Sequence, residues 1–314
     1  MSFNRILLAS TAVLILAAPS SAKELNKIGI SLGSMGNPFF VALAKGAETE
    51  AKKINPNAEV MTFGYEFDIG KQFTQIDNFI ASGVDLILLN PADAKAVGPA
   101  IKKAQDAGIV VVAVDTFADG ADAVVQTNNT QAGEIACQYI VDQLNGKGDV
   151  VIINGPQVSS VVERVKGCLE VFAKAEGINV LSSDQDGKGS RDGGMNVMQG
   201  MLTRYDHIDA VFAINDPQAI GADLASRQQG REGMIITAVD GAPDAEAALK
   251  DEKALQFKAS ATQDPFVMAQ LAVRAGAAIL AGDAPAEQIQ LLDSALVTRD
   301  NVGEYVGWAS ERAE

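Results

Sequence analysis

The chain has 314 residues, room for two domains with substantial cores at about 150 residues per domain. Its 47% hydrophobic and 21% charged content lies near the globular average, while 40 acidic against 25 basic residues give a net charge of −15, which repels phosphate backbones and anionic membrane surfaces. That balance disfavours nucleic acid as a partner. Two cysteines and one histidine cannot build a Cys- or His-rich metal site, and any catalytic triad would have to use His207.

The first residues have the order of a secretion signal: basic Arg5, a mostly apolar block from Ile6 to Ala18, then Pro19-Ser20-Ser21-Ala22 before Lys23-Glu24. The block is too short to span a bilayer, and the expected product is a soluble, exported protein cut after Ala22. Removing Arg5 leaves 24 basic against 40 acidic residues, or −16. Export puts Cys137 and Cys168 in an oxidising setting. Each falls on the apolar side of a predicted helix, and the sequence leaves two packed thiols and a disulfide equally open.

From Lys27 onward, short β-branched runs alternate with helical spacing. The predicted strands are 27–32, 58–63, 85–89, 109–114, 150–153, 178–181, 210–214, 234–239 and 256–261. Between them lie patterns such as Phe73, Ile76 and Ile80, or Val162, Val165, Leu169 and Phe172. This repetition predicts an α/β fold with parallel sheets. Asn37-Pro38, Asn90-Pro91, Asp216-Pro217 and Ala242-Pro243 read as helix starts directly after strands, so the strand ends are polar and well defined. Ligands of open α/β sheets bind at those ends. The polar stretch from Asp119 to Asn129 reads as a boundary between two similar blocks, and the last 50 or so residues return to complete both.

Several chemistries lack their motifs. Gly187-Lys188-Gly189-Ser190-Arg191-Asp192 has Asp at the third glycine of a dinucleotide fingerprint, and neither a phosphate-binding loop nor a hydrolase elbow occurs. Asp184-Gln185-Asp186-Gly187 starts like a calcium loop, but Gly189 and Met195 stand where its Gly and Glu belong. No cofactor is expected. His207 reads as a solvated loop residue and Trp308 as a packing anchor.

Asn37-Pro38-Phe39-Phe40 puts an amide and two aromatics at the end of the first strand. A cap plus two core phenylalanines is the plainer reading of those four alone. Together with residues 85–115 (DLILLNPADAKAVGPAIKKAQDAGIVVVAVD), 211–221 (VFAINDPQAIG) and 239–244 (VDGAPD), however, they resemble the ribose-binding branch of the periplasmic sugar-binding proteins that serve ABC transporters, in order from about Lys27 to Leu296. The resemblance implies two Rossmann-like, doubly wound lobes joined by a three-segment hinge near Thr127-Asn128, Gln263-Asp264 and Leu292-Asp293. The lobes would be 23–127 with 264–292, and 128–263 with 293–314. It further implies that Asn37, Phe39, Phe40, Asp115 and Thr116 from the first lobe, and Arg164, Asn215, Asp240 and Gln263 from the second lobe and hinge, face a small carbohydrate. These residue types suit such a ligand, since rings stack on its C–H faces while Asp, Asn, Gln and Arg bind its hydroxyls. For Asp216, a helix N-cap is the better reading.

The chain departs from the ribose-binding pattern at Thr116, where that pattern has arginine, at Gly33 beside Ser34, where it has serine, and at Gly189, where it has an aromatic. A donor fork and a stacking face are thereby lost. Phe117 is a candidate replacement platform, and a slimmer acyclic polyol also suits the altered pocket. Two acidic residues and one arginine favour a neutral ligand over a sugar acid or phosphate. The expected role is a monomeric exported receptor that delivers a monosaccharide or sugar alcohol to an ABC permease. A sensor feeding a chemoreceptor or kinase is the alternative, followed by a sugar-modifying enzyme using Asp115 and Asp240 as acid and base.

Overall fold

The computed structural model describes residues 23–251 and 256–308. The expected secretion signal at 1–22 and the end of the expected second lobe, 309–314, lie outside the described residues. The first block contains β1 (Lys27–Leu32), α1 (Pro38–Ile54), β2 (Glu59–Gly64), α2 (Ile69–Ala81), β3 (Leu86–Leu89), α3 (Gly98–Asp106), β4 (Val110–Val114) and β5 (Ala123–Thr127). The second contains α4 (Asn129–Gln143), β6 (Lys147–Asn154), α5 (Ser159–Lys174), β7 (Gly177–Asp186), α6 (Arg191–Arg204), β8 (Ala210–Ala213), α7 (Asp216–Gln228), β9 (Ile235–Asp240), α8 (Pro243–Lys250) and β10 (Phe257–Thr262). The chain then adds α9 (Pro265–Ala281), β11 (Ile289–Leu292) and β12 (Leu296–Thr298).

These strands form two six-stranded sheets, β2-β1-β3-β4-β5-β11 and β7-β6-β8-β9-β10-β12. Every pairing is parallel except that of β12 with β10. Alternate residues of a strand serve opposite faces. Ile28, Ile30 and Leu32 pack with α1 and α9, while Ile87, Leu89 and Val111 meet Phe79 of α2 and Ile101 of α3. In the second block, α4 and α5 cover one face and α6, α7 and α8 the other. Helices on both faces explain why these strands read as continuous apolar runs. The structure is therefore α/β with two doubly wound lobes.

Three of the strands escape the sequence reading. β5 lies inside the stretch read as a polar boundary, because its Ala-Val-Val run is short and flanked by Asp and Asn; all five of its residues are nonetheless buried. β11 and β12 are edge strands of four and three residues. Two smaller corrections concern helices. Asn90-Pro91 does not start one, since α3 begins at Gly98 without a side-chain cap. On α5 the buried face carries Val161, Val165, Cys168 and Phe172, leaving Val162 and Leu169 exposed. Among the described residues no helix is long and apolar enough to cross a membrane.

The chain passes between the sheets three times, after β5, after β10 and after β11. Asn128 Nδ2 approaches Asp293 Oδ1 at 3.4 Å, and Thr127 Oγ1 donates to Gln263 Oε1 at 2.7 Å, so the passages are cross-linked. Close beside them, α4 and α5 pack with backbone contact: a Cβ at Gly133 would collide with the Arg164 carbonyl, and one at Gly167 with that of Thr130. The same helix pair carries the Cys137–Cys168 disulfide, with Cα atoms 5.2 Å apart and a separation of 31 residues. The alternative the sequence left open is decided in favour of the bond. Closing a loop of that length stabilises by about 2–4 kcal/mol. Substituting both cysteines by serine is expected to lower the unfolding free energy by about that amount in urea titration. An unchanged midpoint would show that the bond adds no stability.

Candidate ligand-binding site

Both sheets share the strand order 2-1-3-4-5, in which the order reverses beside the first strand and leaves a crevice at the carboxyl ends. The two crevices face one another across a cleft of about 700 Å³. From the first sheet, β1 leads into Asn37, which caps α1 by accepting the Phe39 N–H at 3.0 Å, with Pro38 at the first helical position. This cap aims Phe39 and Phe40 at the cleft. Phe40 stands edge-on to Phe39, with centroids 5.4 Å apart, and packs against Phe67 at 6.2 Å; Tyr65 packs on Phe67 at 6.0 Å. Gly33 is required by this group, since a Cβ there would lie 2.6 Å from the Phe40 ring. Phe67 is 57% exposed and sits at φ 57°, a left-handed conformation that holds its ring at the cleft mouth.

Polar groups line the interior. Asn90, at the end of β3, donates through Nδ2 to Asp115 Oδ2 at 2.9 Å and Thr116 Oγ1 at 3.1 Å, while Oδ1 accepts from Tyr65 Oη at 3.0 Å. Across the cleft, Arg164 Nε donates to Asn129 Oδ1 at 2.9 Å and Nη1 to the Ile214 carbonyl at 2.8 Å; Nη1 also lies 3.5 Å from Asp240 Oδ1. Gln263 Nε2 donates to Asp240 Oδ1 at 2.7 Å, which ties this wall to Thr127 at the first passage. Asp115 (φ 70°) and Asp240 (φ 142°) both hold backbone conformations that L-residues rarely adopt, at a cost of about 1–3 kcal/mol each. Such strain collects at functional positions, where the surrounding fold dictates side-chain direction.

Burial governs the electrostatics. It pushes Asp115 up to about 7, with Arg164 opposing and Asp240 reinforcing the rise. Asp240 is pushed up to about 6 by burial, against the pull of Arg164 and Gln263. Asp216 is raised well above its ordinary value by burial and by Asp240. One buried guanidinium does not compensate three buried carboxyls.

Asn37, Phe39, Phe40, Asp115, Thr116, Arg164, Asn215, Asp240 and Gln263 all line this one cleft. Some assignments change on closer view. Asn215, not Asp216, caps α7, accepting the Gln218 N–H at 3.1 Å and donating to the Gly189 carbonyl at 2.9 Å. Asp216 instead accepts from Ser260 Oγ at 2.6 Å and the Ala242 N–H at 2.7 Å. Phe117 is not among the cleft-lining residues; it packs with the α2–α3 face of the first sheet while its N–H donates to Ser159 Oγ at 2.9 Å, and Phe67 lines the cleft instead. Trp308 is an anchor at the cleft wall, donating to the Asp240 carbonyl at 3.1 Å and standing edge-on to Phe39. His207 is exposed and 2.8 Å from Asp209. Sequence reasoning missed Tyr65, Phe67 and Asn90. The strand-end position of Asn90 was the available signal, whereas Tyr65 and Phe67 lie past β2 in a turn without a motif.

Residues 28–284 match the family described as periplasmic binding protein domain. The ribose import binding protein of Bacillus subtilis is 35% identical over 272 residues, 85% of this chain and 86% of that one. The xylitol-binding protein of Mycolicibacterium smegmatis is 31% identical over 291 residues, 91% of this chain and 80% of that one. Among solved structures, an ABC transporter solute-binding protein of Bacillus halodurans with bound myo-inositol superposes with a TM-score of 0.81 at 25% identity, covering 91% of this chain and 99% of that one.

The raised carboxyls make stability depend on pH. Unfolded Asp ionises near 4, whereas folded Asp115 holds its proton to about 7 and Asp240 to about 6. The folded state binds the extra protons, so the stability of the ligand-free protein falls as pH rises from about 4 through 7. Asp115→Asn is expected to raise the melting temperature strongly at about pH 8 and by roughly a third as much at about pH 5. A shift of equal size at both values would show that ionisation of Asp115 is not the source.

Proposed function

The chain belongs to the periplasmic binding protein family, and on that premise we propose that it is an exported receptor that captures a small neutral carbohydrate, a monosaccharide or sugar alcohol, and delivers it to an ABC permease. The observation that carries this reading is the division of labour across the cleft. One lobe offers the aromatic edge of Phe39, Phe40 and Phe67 together with Asp115 and Thr116; the other offers Arg164 and Asp240, and Gln263 lies at the passage between them. A polyhydroxyl guest needs both, rings for its C–H faces and polar atoms for its hydroxyls.

Each lobe alone makes half the contacts. Ligand therefore binds the closed arrangement more tightly than the open one and shifts the hinge equilibrium toward closure. A permease that recognises the closed form reads occupancy without touching the guest. The relatives are binding proteins, and the guest leaves this cleft chemically unchanged; Asp115 and Asp240 act as acceptors rather than as an acid and base pair. Export through residues 1–22 puts the receptor in the periplasm, where a monomer suffices. Affinity is expected to be about micromolar or tighter, near −8 kcal/mol.

A thermal-shift screen of pentoses, hexoses and sugar alcohols tests the reading, since a guest that binds only the folded state raises the melting temperature. At least one member is expected to do so and to be recovered unaltered by mass spectrometry. A panel without any shift would reject the function. For the guest so identified, Asp240→Ala is expected to weaken calorimetric affinity about tenfold or more, because a hydroxyl loses its buried partner. Unchanged affinity would remove Asp240 from the site. Phe67→Ala is expected to weaken binding by roughly 0.5–1.5 kcal/mol through loss of ring contact, and an unaltered isotherm would assign that ring to the mouth alone.

A further inference from the structure

β12 completes the second sheet at Thr298, and the chain then runs on along that lobe with anchors of its own. Asn301 Oδ1 accepts the Thr298 N–H at 2.7 Å, Val302 is buried in the core of the lobe, and Tyr305 Oη donates to the Gly241 carbonyl at 2.8 Å. A Cβ at Gly241 would collide with that phenol. Gly307, at φ 65°, takes a turn that favours glycine, and Trp308, the single tryptophan of the sequence, follows it into the space between the lobes. Ordering this segment costs conformational entropy that the sheet itself does not require.

Trp308 is 4% exposed and lines the cleft. Its Nε1 donates to the Asp240 carbonyl at 3.1 Å, an oxygen that also accepts the Gln263 N–H at 2.8 Å. Its ring stands edge-on to Phe39, with centroids 5.7 Å apart. One side chain thus touches a residue of the proposed site from each lobe, Phe39 on α1 and Asp240 at the end of β9. An indole has one donor and no acceptor, and here the donor is spent on a backbone carbonyl. Toward a guest, therefore, Trp308 is an apolar wall. It is fixed at its N–H by Asp240 and across its ring by Phe39, so a guest that meets both the Phe39 ring and the Asp240 carboxyl ends against it.

We propose that Trp308 is a specificity-determining residue, a gauge that closes the cleft between Phe39 and Asp240. The guest is then a monosaccharide or sugar alcohol whose hydroxyl on that side is free, and a derivative carrying even a methyl ether there is excluded. The inference rests on the carbohydrate reading above and adds a limit on size to it. A close-packed wall does not yield to an added methyl without displacing its neighbours, and here those neighbours are Phe39 and the Asp240 backbone. Removing the indole opens a space in which the methyl fits. A residue that merely secured the tail would behave differently, because its loss would weaken every guest alike.

The test is calorimetry with D-ribose, D-xylose, D-allose, D-glucose, D-galactose, xylitol, sorbitol and myo-inositol as parents, each beside the full set of its mono-O-methyl ethers. For a parent that binds, at least one ether is expected to bind the unaltered protein about tenfold or more weakly. Trp308→Ala is expected to bring one such ether to within about threefold of its parent while the others stay weak; Trp308→Leu repeats the comparison should the first variant melt early. Tyr305→Phe, which removes the hydrogen bond to Gly241 and leaves the indole, is expected to keep every ratio of parent to ether within about threefold of its original value. Ethers that all bind as tightly as their parent, ratios that neither Trp308 substitution moves, or the same ether admitted by Tyr305→Phe would overturn the gauge and leave the carbohydrate reading intact. If no parent binds the unaltered protein, the carbohydrate reading itself fails and the gauge with it.

Discussion

Three carboxylates buried between lobes that supply one buried guanidinium set the terms for the rest of the molecule. In water these groups would ionise near 4 and repel one another mildly; inside the protein their neutral forms are favoured, and any ionised form needs a donor within hydrogen-bonding reach. Asp216 meets that need entirely from protein, Asp240 mostly so, and Asp115 only by half. The gradient of satisfaction runs from the second sheet toward the cleft. The strained backbones of Asp115 and Asp240 follow from the same constraint, since the side chains must turn toward the cleft where an extended strand would aim them at a sheet face.

The repeated strand order brings these residues together. Each sheet reverses direction beside its first strand, and each reversal opens a crevice at carboxyl ends. Setting two such crevices face to face doubles the number of loops that can reach one point. No lobe needs to bury a ligand alone. The passages between lobes are short and hydrogen-bonded to one another, and one of them contributes Gln263 directly to the site. Asp240 is therefore one side chain removed from the first passage between the sheets.

Much of this was legible in the sequence because it follows from periodicity. β-branched runs buried on both faces, separated by amphipathic helices, announce parallel sheets, and proline after Asn37 fixes both a helix start and the placement of Phe39 and Phe40. Legibility failed where the determining contact is remote. β5 is a strand because β4 and β11 flank it, although its own five residues sit in a polar setting. Asn90 looks like a cap and is a ligand-space residue, since the helix it would start begins eight residues later, at Gly98. Phe117 and Phe67 were exchanged for a related reason: which aromatic reaches the cleft depends on left-handed turns at Glu66 and Phe67 that leave no composition signal. The disulfide required a Cα separation, and spacing along the chain does not contain one.

The bond between α4 and α5 also has a mechanical meaning. α4 starts at the first passage between the lobes, and α5 carries Arg164, so the covalent strut and the glycine-mediated backbone contact make one lever of the two helices. The buried guanidinium of Arg164 is consequently anchored to the first passage as a fixed point of the cleft wall rather than a freely rotating side chain.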